Sequence, residues 1–473
     1  CNENSGGLKS IYDSLANNRG KWIEKNKYYY NQLLHIIKSH IEPQRNVIEV
    51  GCEIGYFVGS INARKSLGID ISQKMIDNAR QLFPHVDFIV HDTEDVSEIN
   101  EKFDYVLLIN SIGDFFNVQI ALKNIRKITT PKTRLIIIYY NHLWEPLIKI
   151  AEMIRLKVIH KSQNWLSPPD IENLLYLADF EVIKRDQFLL LPIFIPVISW
   201  FLNRTIGRLP LIKRLCFVNL TVAKQKISKP YEAKSCSIVI PCKNEKDNVK
   251  YAIERIPEMG RHTEIIFVDD KSSDGTAEEV KKLMTLYPNK DIKLVLGPGE
   301  GKAKAVRSGF SEATGDILMI LDGDLAVMPE ELPLFYDALI EGKGEFINGC
   351  RLIYDMEEGA MRLLNILGNK IFSLVFSYLL SVRIKDTLCG TKAFFKEDYL
   401  RMKEYFGSFG SYDRWGDYDL LFSASKINLK IIDLPIHYRE RIYGATKMKR
   451  RFLNGLRMLK MCMVAAKRFK FLY

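Results

Sequence analysis

The sequence has little that would staple a chain, hold a structural metal or keep a segment unfolded. Its eight cysteines are scattered, with no C-x-x-C pair and no cysteine–histidine cluster, which excludes a zinc ribbon and predicts free thiols in a reducing compartment. Glycine and proline are modest and 47% of residues are apolar, so long disordered spans are not expected. Long apolar runs are missing too. The charge-free stretch 188–202 has fifteen residues, about 22 Å as a helix, short of the roughly 20 residues that cross a bilayer, and Pro192 and Pro196 interrupt it. The opening N-E-N-S-G-G-L-K is polar, which predicts no secretory leader, and Cys1 in place of an initiating Met is compatible with processing upstream. Acids are outnumbered: the formal charge is +11, which invites nucleic acid, an anionic membrane surface or phosphorylated substrates. No finger, recognition helix or aromatic RNA-binding motif accompanies that charge, so no nucleic-acid partner is expected.

What is present is a two-part α/β pattern. At 473 residues the chain exceeds one ordinary core. The polar, basic stretch K-Q-K-I-S-K-P-Y-E-A-K at 224–234 carries Pro230 and reads as a linker, giving domains 1–229 and 230–473. In the second, Ile/Val-rich runs at 237–240 and 265–268 stop at P-C-K-N-E and D-D-K-S-S-D-G-T, as buried parallel strands do when they deliver side chains to the carboxyl edge of a sheet. A third run, Ile317 to Leu321, ends in Asp322-Gly323-Asp324. Two carboxylates around a glycine suit a divalent cation on phosphate oxygens; a solvated turn is the alternative for any single D-x-D.

The first half repeats the theme with a glycine turn. The strand N46-V-I-E-V50 runs into Gly51-Cys52-Glu53-Ile54-Gly55, and a second strand, 66–69, ends at Asp70, about 20 positions on, where an acid can accept from ribose hydroxyls. Strand candidates follow at 86–90 (then Asp92), 103–109, 135–140 and 217–223. Helices between them predict an open sheet covered on both faces. A nicotinamide cofactor would also suit a glycine turn of this kind. Asn110, Ser111, Asp114, Tyr139, Tyr140, Asn141, His142 and Trp144 follow two strand ends, where an acceptor pocket is expected, with His142 as a candidate base.

Residues 235–455 resemble family 2 glycosyltransferases, in particular the dolichol-phosphate mannosyltransferase-like branch, on Pro241 to Glu245, Val268 to Thr276, Gly301-Lys302-Ala303, Asp322/Asp324, Asp386 to Phe394 and Arg441-x-x-Gly444-x-x-Lys447. The resemblance implies a GT-A fold and a nucleoside diphosphate sugar donor. Pro241, Asn244, Glu245, Asp269, Asp270 and Lys302 would bind that donor, and Asp322 and Asp324 would hold Mg²⁺ or Mn²⁺. It further implies phosphate contacts from Arg441 and Lys447, and Asp417 or Asp419 as base where the acceptor is a sugar hydroxyl. Cys389, Thr391 and Lys392 depart from the branch's D-x-x-S-G-F-R pattern, which predicts a different sugar pocket. The E-V-G-C-x-x-G turn, Asp70 and Asp92 resemble a class I S-adenosylmethionine-dependent methyltransferase, which implies a Rossmann-like fold with Glu49, Gly51, Gly55, Asp70 and Asp92 around S-adenosyl-L-methionine. Glu53 stands where that family usually has glycine.

Two segments point to a membrane. Residues 188–202 precede Arg204, Arg208, Lys213 and Arg214, which reads as an in-plane anchor with basic residues at headgroup level, or as a hairpin packed internally. From Arg441 onward there is no Asp or Glu, and Leu453, Leu456, Leu459, Met463 and Val464 oppose a basic face. The whole reads as two doubly wound α/β domains peripherally bound to the cytoplasmic face of a membrane. The expected partners are a nucleoside diphosphate sugar, a polyprenyl phosphate or glycan acceptor, and the anionic membrane surface. The competing readings are elongation of a polysaccharide or glycolipid, and a non-enzymatic scaffold of degenerate domains.

Overall fold

In the computed structural model the chain divides after Lys226 into two units, and the structure describes residues 3–153, 163–354, 363–409, 413, 415–439 and 451–471. Each unit is built on its own mixed sheet, seven-stranded among the described residues.

The first sheet comprises β1 (Asn46–Val50), β2 (Lys65–Asp70), β3 (Asp87–Val90), β4 (Tyr105–Ile109), β5 (Arg134–Tyr140), β6 (Phe180–Phe188) and β7 (Val218–Gln225), in the order β3-β2-β1-β4-β5-β7-β6. The first five are parallel. Their near-continuous burial follows from runs such as Y-V-L-L-I and R-L-I-I-I-Y-Y. β7 returns antiparallel beside β5, and β6 closes that edge. The apolar run 217–223 was legible as a strand. β6, F-E-V-I-K-R-D-Q-F, was not anticipated, because its charged positions conceal it until Lys184 and Asp186 are seen buried against β7.

Its helices are α1 (Glu3–Lys25), α2 (Lys27–His40), α3 (Gln73–Leu82), α4 (Val118–Ile125), α5 (Glu145–Met153), α6 (Pro168–Leu177) and α7 (Ile198–Arg204). Helices α1 and α2 precede the sheet, and Tyr29, Tyr30, Leu33, Ile36 and Ile37 of α2 are buried against it. The segment 188–202 is not one helix. Only its end enters α7, because Pro192 and Pro196 deny the earlier residues a regular hydrogen-bond ladder.

The second sheet comprises β8 (Ser235–Cys242), β9 (His262–Asp269), β10 (Asp291–Leu296), β11 (Ile317–Ile320), β12 (Phe346–Cys350), β13 (Lys392–Phe395) and β14 (Ile431–Pro435), in the order β10-β9-β8-β11-β13-β12-β14. β8 to β11 are parallel neighbours, whereas β13 runs antiparallel between β11 and β12. Helices α8 (Lys246–Arg255), α9 (Thr276–Leu286), α10 (Lys302–Glu312), α11 (Leu332–Ile340), α12 (Leu363–Leu380), α13 (Lys396–Lys403), α14 (Asp417–Lys426) and α15 (Arg451–Ala466) accompany it.

Both α12 and α15 divide their apolar residues between core and solvent. Phe376, Leu379 and Leu380 are buried with Met458, Met461 and Cys462, whereas Leu367, Ile371 and Leu374, with Leu453, Leu456, Leu459 and Met463, face outward. Among the described residues no helix is long and apolar enough to cross a membrane.

Helix α10 lies against β8 and β9 through Gly309: a Cβ there would overlap Val239 and come within 2.9 Å of Val268 Cγ2. Gly309→Ala should therefore cost roughly 1–3 kcal/mol by overpacking, read as a lower denaturant midpoint for the unit that contains it. An unchanged midpoint would mean that α10 does not approach the sheet this closely.

Candidate functional site

In the C-terminal unit the tips of β8, β9 and β11 converge. Val239 of β8 pairs with Ile320, Leu321 N–H donates to Val239 O at 3.1 Å, and Cys242 pairs with Asp269. Pro241–Glu245, Asp269–Asp270 and Asp322–Asp324 consequently leave the sheet at one edge. Gly323 permits it: a Cβ there would come within 3.1 Å of Pro241 O and 3.3 Å of Cys242 Sγ.

Several of these side chains build the edge itself. Asn244, at φ 56°, accepts from Ser273 N–H at 2.8 Å, and its own N–H donates to Ser272 Oγ. Glu245 N–H donates to Thr276 Oγ1 at 3.0 Å, and Glu245 Oε2 accepts from Asn248. Asp270 is committed to the loop before α10, accepting from Gly299 N–H at 2.7 Å and Gly301 N–H at 3.0 Å. Asp269 differs. One oxygen accepts weakly from Ser272 N–H at 3.3 Å, and the other, Oδ1, is buried without a partner.

The loop pinned by Asp270 delivers Lys302 at the first position of α10. Its ammonium lies 2.5 Å from Asp322 Oδ1. Burial pulls the Lys302 pKa down, but Asp322, Asp417 and Asp324 outweigh it, so Lys302 stays charged above its ordinary range. Asp322 is pushed up by burial and held below the carboxylate range by Lys302, with Arg351 and Lys392 further off. Lys304 points elsewhere, to Glu300.

Around this pair stands a lattice of ion pairs joining residues far apart in sequence. Fully buried Lys392 meets Asp417 at 3.0 Å. Arg351 grips Asp386 with two bonds, 2.7 and 2.9 Å, and Asn369 of α12 donates to the same carboxylate at 2.7 Å. Asp386 would be raised by burial, yet Arg351 and Asn369 hold it well below its usual value. Arg307 meets Asp419 at 2.6 Å. Gly390 closes the arrangement, since a Cβ there would overlap Lys302 Nζ and the Asp322 carboxylate.

Sequence reasoning missed Asn369, Arg307, the partners of Asp417 and Asp419, and Asp413. Asp413 accepts from the N–H groups of Trp415, Gly416, Tyr418 and Asp419, capping α14. Arg441 and Lys447 lie outside the described residues.

In the N-terminal unit the corresponding edge is acidic. Gly51 and Gly55 take left-handed φ values of 79° and 73°, and a Cβ on either would strike Ser111 or Phe88. Glu49 is buried and accepts from Val58 N–H at 2.9 Å; burial raises its carboxyl well above the usual range. Asp70 accepts from Glu53 N–H and Ser72 N–H, each at 2.9 Å, and burial outweighs both bonds to push it up to about 6. Glu53 occupies the left-handed region, φ 51°, and pairs with Arg19 of α1 at 2.6 Å. Tyr12 of the same helix donates to Asp114 at 2.8 Å, and Ser72 donates to Asp13. Helix α1 thus crosses the mouth of the glycine turn.

Asp92 lies beyond β3, exposed, accepting from Glu94 N–H. Of the proposed acceptor residues, Asn110, Tyr139 and Tyr140 line a small cavity with Ile112, Gln163 and Trp165. Ser111, Asn141 and Trp144 instead bond to backbone carbonyls, of Val50, of Arg214 and Cys216, and of Leu215. His142 is not in the cavity lining.

Residues 237–401 match the family model described as Glycosyl transferase family 2, and residues 22–185 match that of a methyltransferase domain. Among curated proteins, the chain is 38% identical over 109 residues to "Dolichol-phosphate mannosyltransferase" of Saccharomyces cerevisiae, covering 22% of this chain and 40% of that protein. It is 34% identical over 110 residues to "Undecaprenyl-phosphate 4-deoxy-4-formamido-L-arabinose transferase" of Proteus mirabilis, covering 22% and 34%. The chain therefore spans about a third to two fifths of the length of these relatives. A solved SAM-dependent methyltransferase of Thermotoga maritima, described as a possible histamine N-methyltransferase, aligns at 20% identity over 46% of this chain and all of that one, with a TM-score of 0.38.

The Asp70 carboxyl offers a direct check. Its pKa of about 6 exceeds the roughly 4 of an unfolded Asp, so the folded form keeps its proton to higher pH. Its contribution to stability is complete below about pH 4 and is lost as pH rises through 6. A ¹³C-carboxyl titration of the ligand-free chain should show a midpoint near 6 that disappears in Asp70→Asn; a midpoint near 4 would place the group in open solvent.

Proposed function

We propose that the C-terminal unit transfers a sugar, with inversion, from a nucleoside diphosphate sugar to a polyprenyl phosphate, and that the N-terminal unit transfers a methyl group from S-adenosyl-L-methionine. The observation that carries the first reading is the Lys302–Asp322 pair beside Asp324, at the edge shared with Asn244 and Asp269.

Lys302 presents an ammonium at the N-terminus of α10, a setting that attracts diphosphate oxygens. The partnerless Asp269 Oδ1 supplies an acceptor for a base or ribose donor, since a buried oxygen left unbonded is unfavourable. Two carboxylates one residue apart fit Mg²⁺ or Mn²⁺, which commonly takes one or two protein carboxylates and completes its shell with phosphate and water; among the described residues no group of three or more His, Cys, Asp or Glu forms a cage for a metal. When bound there, the ion supplies charge neutralisation on the departing diphosphate. Attack by an acceptor phosphate oxygen forms the new bond to the anomeric carbon as the bond to the nucleoside diphosphate breaks, its electron pair leaving on the diphosphate oxygen.

That step needs no base, because the acceptor is already ionised. Of the candidate bases, Asp417 is paired with buried Lys392, and one oxygen of Asp419 with Arg307 while its Oδ1 is buried without a partner. The Lys392 pairing of Asp417 favours a phosphate acceptor over a sugar hydroxyl. The two relatives named above support the same acceptor class, their names giving different sugars on two polyprenyl phosphates. The outward apolar residues of α12 and α15, flanked by exposed Arg457 and Lys467, form a surface for an anionic bilayer. Because α12 also carries Asn369, that surface is coupled to the Arg351–Asp386 clamp. Seven described cysteines are all free and buried, in keeping with the cytoplasmic face.

In the N-terminal unit, Glu53, Asp70 and Asp114 gather acidic groups at the glycine turn beside buried Glu49, with Arg19 answering Glu53. A sulfonium and an ammonium are the cations such a turn suits, and its left-handed glycines let the backbone pack against Ser111 and Phe88 where a side chain would not fit. S-adenosyl-L-methionine, when bound, supplies the methyl group; Asn110, Tyr139 and Tyr140 would position the acceptor.

The test is a donor screen with polyprenyl phosphate and mass-resolved products. Asp324→Asn should lower kcat by about 10²–10³-fold with the acceptor KM little changed, and chelation should abolish turnover until Mg²⁺ or Mn²⁺ is restored. Undiminished product from Asp324→Asn under chelator would contradict the reading.

A further inference from the structure

The N-terminal unit carries an apolar face that neither proposed reaction uses. Between β6 and β7 the chain makes an excursion, 189–217, whose apolar side chains point outward: Phe194 is 66% exposed, Val197 78%, Trp200 58% and Leu211 80%. Helix α5 adds exposed Leu147, Ile150 and Met153. The two are joined, since Trp144 Nε1–H donates to Leu215 O at 2.8 Å and Asn141 donates to Arg214 O and Cys216 O. Contiguous apolar surface of this kind marks a contact with lipid or protein.

The way the excursion satisfies its own backbone separates the two. Ser199, fully buried, receives Ile195 N–H and donates to Ile193 O, both at 2.7 Å. Asn203 receives Leu191 N–H and donates to Leu191 O, each at 2.8 Å, and also donates to Tyr28 Oη at 2.9 Å. Water would satisfy these groups on an ordinary surface loop. Irregular backbone immersed in hydrocarbon must satisfy them internally. Charge points the same way: no Asp or Glu occurs between Asp186 and Glu232, and although Arg208 is buried and Lys213 pairs with Asp186, Arg214 is exposed among the apolar residues.

We propose that the N-terminal unit docks in the plane of an anionic phospholipid bilayer through this face, with the Phe194–Trp200 turn and Leu211 inserted below the headgroups and Arg214 at their level. At seven residues α7 is too short to span, so the contact is interfacial. The face also borders the cavity of this unit: Tyr140, which lines it, packs on Phe217, and Phe217 on Trp144, with ring centroids 5.2 Å apart in each pair. Docking thus holds the cavity wall at the membrane surface. This attachment is separate from that of α12 and α15 and from the chemistry of either unit.

The test labels the full chain with an environment-sensitive fluorophore at Val197→Cys, Leu211→Cys or, reporting the other unit separately, Leu459→Cys, with the parent chain as labelling background. Vesicles of phosphatidylcholine with phosphatidylglycerol should raise emission several-fold at 197 and 211, with quenching by nitroxide on the lipid chains, and Val197→Asp/Leu211→Asp should weaken the vesicle response at Trp200 about tenfold or more. Emission at 197 and 211 that is unchanged by vesicles, or still quenched by aqueous iodide, overturns the proposal even where 459 responds. Protection that grows with protein concentration in the absence of lipid would also overturn it, assigning the face to a second copy.

Discussion

The ion pair between Lys302 and Asp322 is the interaction on which the C-terminal unit depends. A carboxylate at the edge of a buried strand and an ammonium at the head of a helix are each unfavourable alone in a low-dielectric setting, and together they stabilise one another. The surrounding structure is arranged to keep them together. Asp270 fixes the loop that places Lys302, Gly323 lets the Asp322–Asp324 turn lie against β8, and Gly390 leaves no side chain where the two meet. The remaining charges follow the same rule, so that Asp417, Asp386 and Asp419 each have one cationic partner. Asp269 Oδ1 is the exception, buried without a partner at the same edge.

The N-terminal unit solves the opposite problem. Its turn concentrates acids, and its departure from glycine at Glu53 adds both a charge and a left-handed conformation that glycine adopts more readily. Arg19 compensates the charge from a helix that precedes the sheet altogether. The bond ties α1 to the turn, so the helix covering the domain is also part of the site's electrostatics.

How much of this was legible follows from the range of the interactions. Strand ends, glycine turns and the D-x-D announce themselves because their chemistry is local: an Ile/Val run that stops at Asp or Asn is one strand and its tip. Asp269, Asp322 and Lys302, like Glu49, Gly51 and Asp70, could therefore be singled out from their own neighbourhoods. Pairings across long separations were not. Arg307 and Asp419 are 112 positions apart, and Arg19 and Glu53 are 34 apart; nothing in either neighbourhood marks them as partners. The strand β6 escaped for a related reason, since its buried Lys184 and Asp186 resemble a solvated surface until their neighbours are known. Asp270 shows the reverse. Its neighbourhood pointed to a ligand, and the structure commits both oxygens to Gly299 and Gly301.

The claim at the centre is that Asp322 and Asp324 hold a divalent ion together with a nucleoside diphosphate, and that Lys302 otherwise occupies Asp322. Mn²⁺ electron paramagnetic resonance on the full chain, titrated with and without nucleoside diphosphates, tests it most directly. Weak retention of Mn²⁺ by the protein alone, at least tenfold tighter retention with nucleotide, and loss of that gain in Asp322→Asn and Asp324→Asn are predicted. Mn²⁺ held equally well without nucleotide, or with nucleotide after both carboxylates are removed, would contradict it.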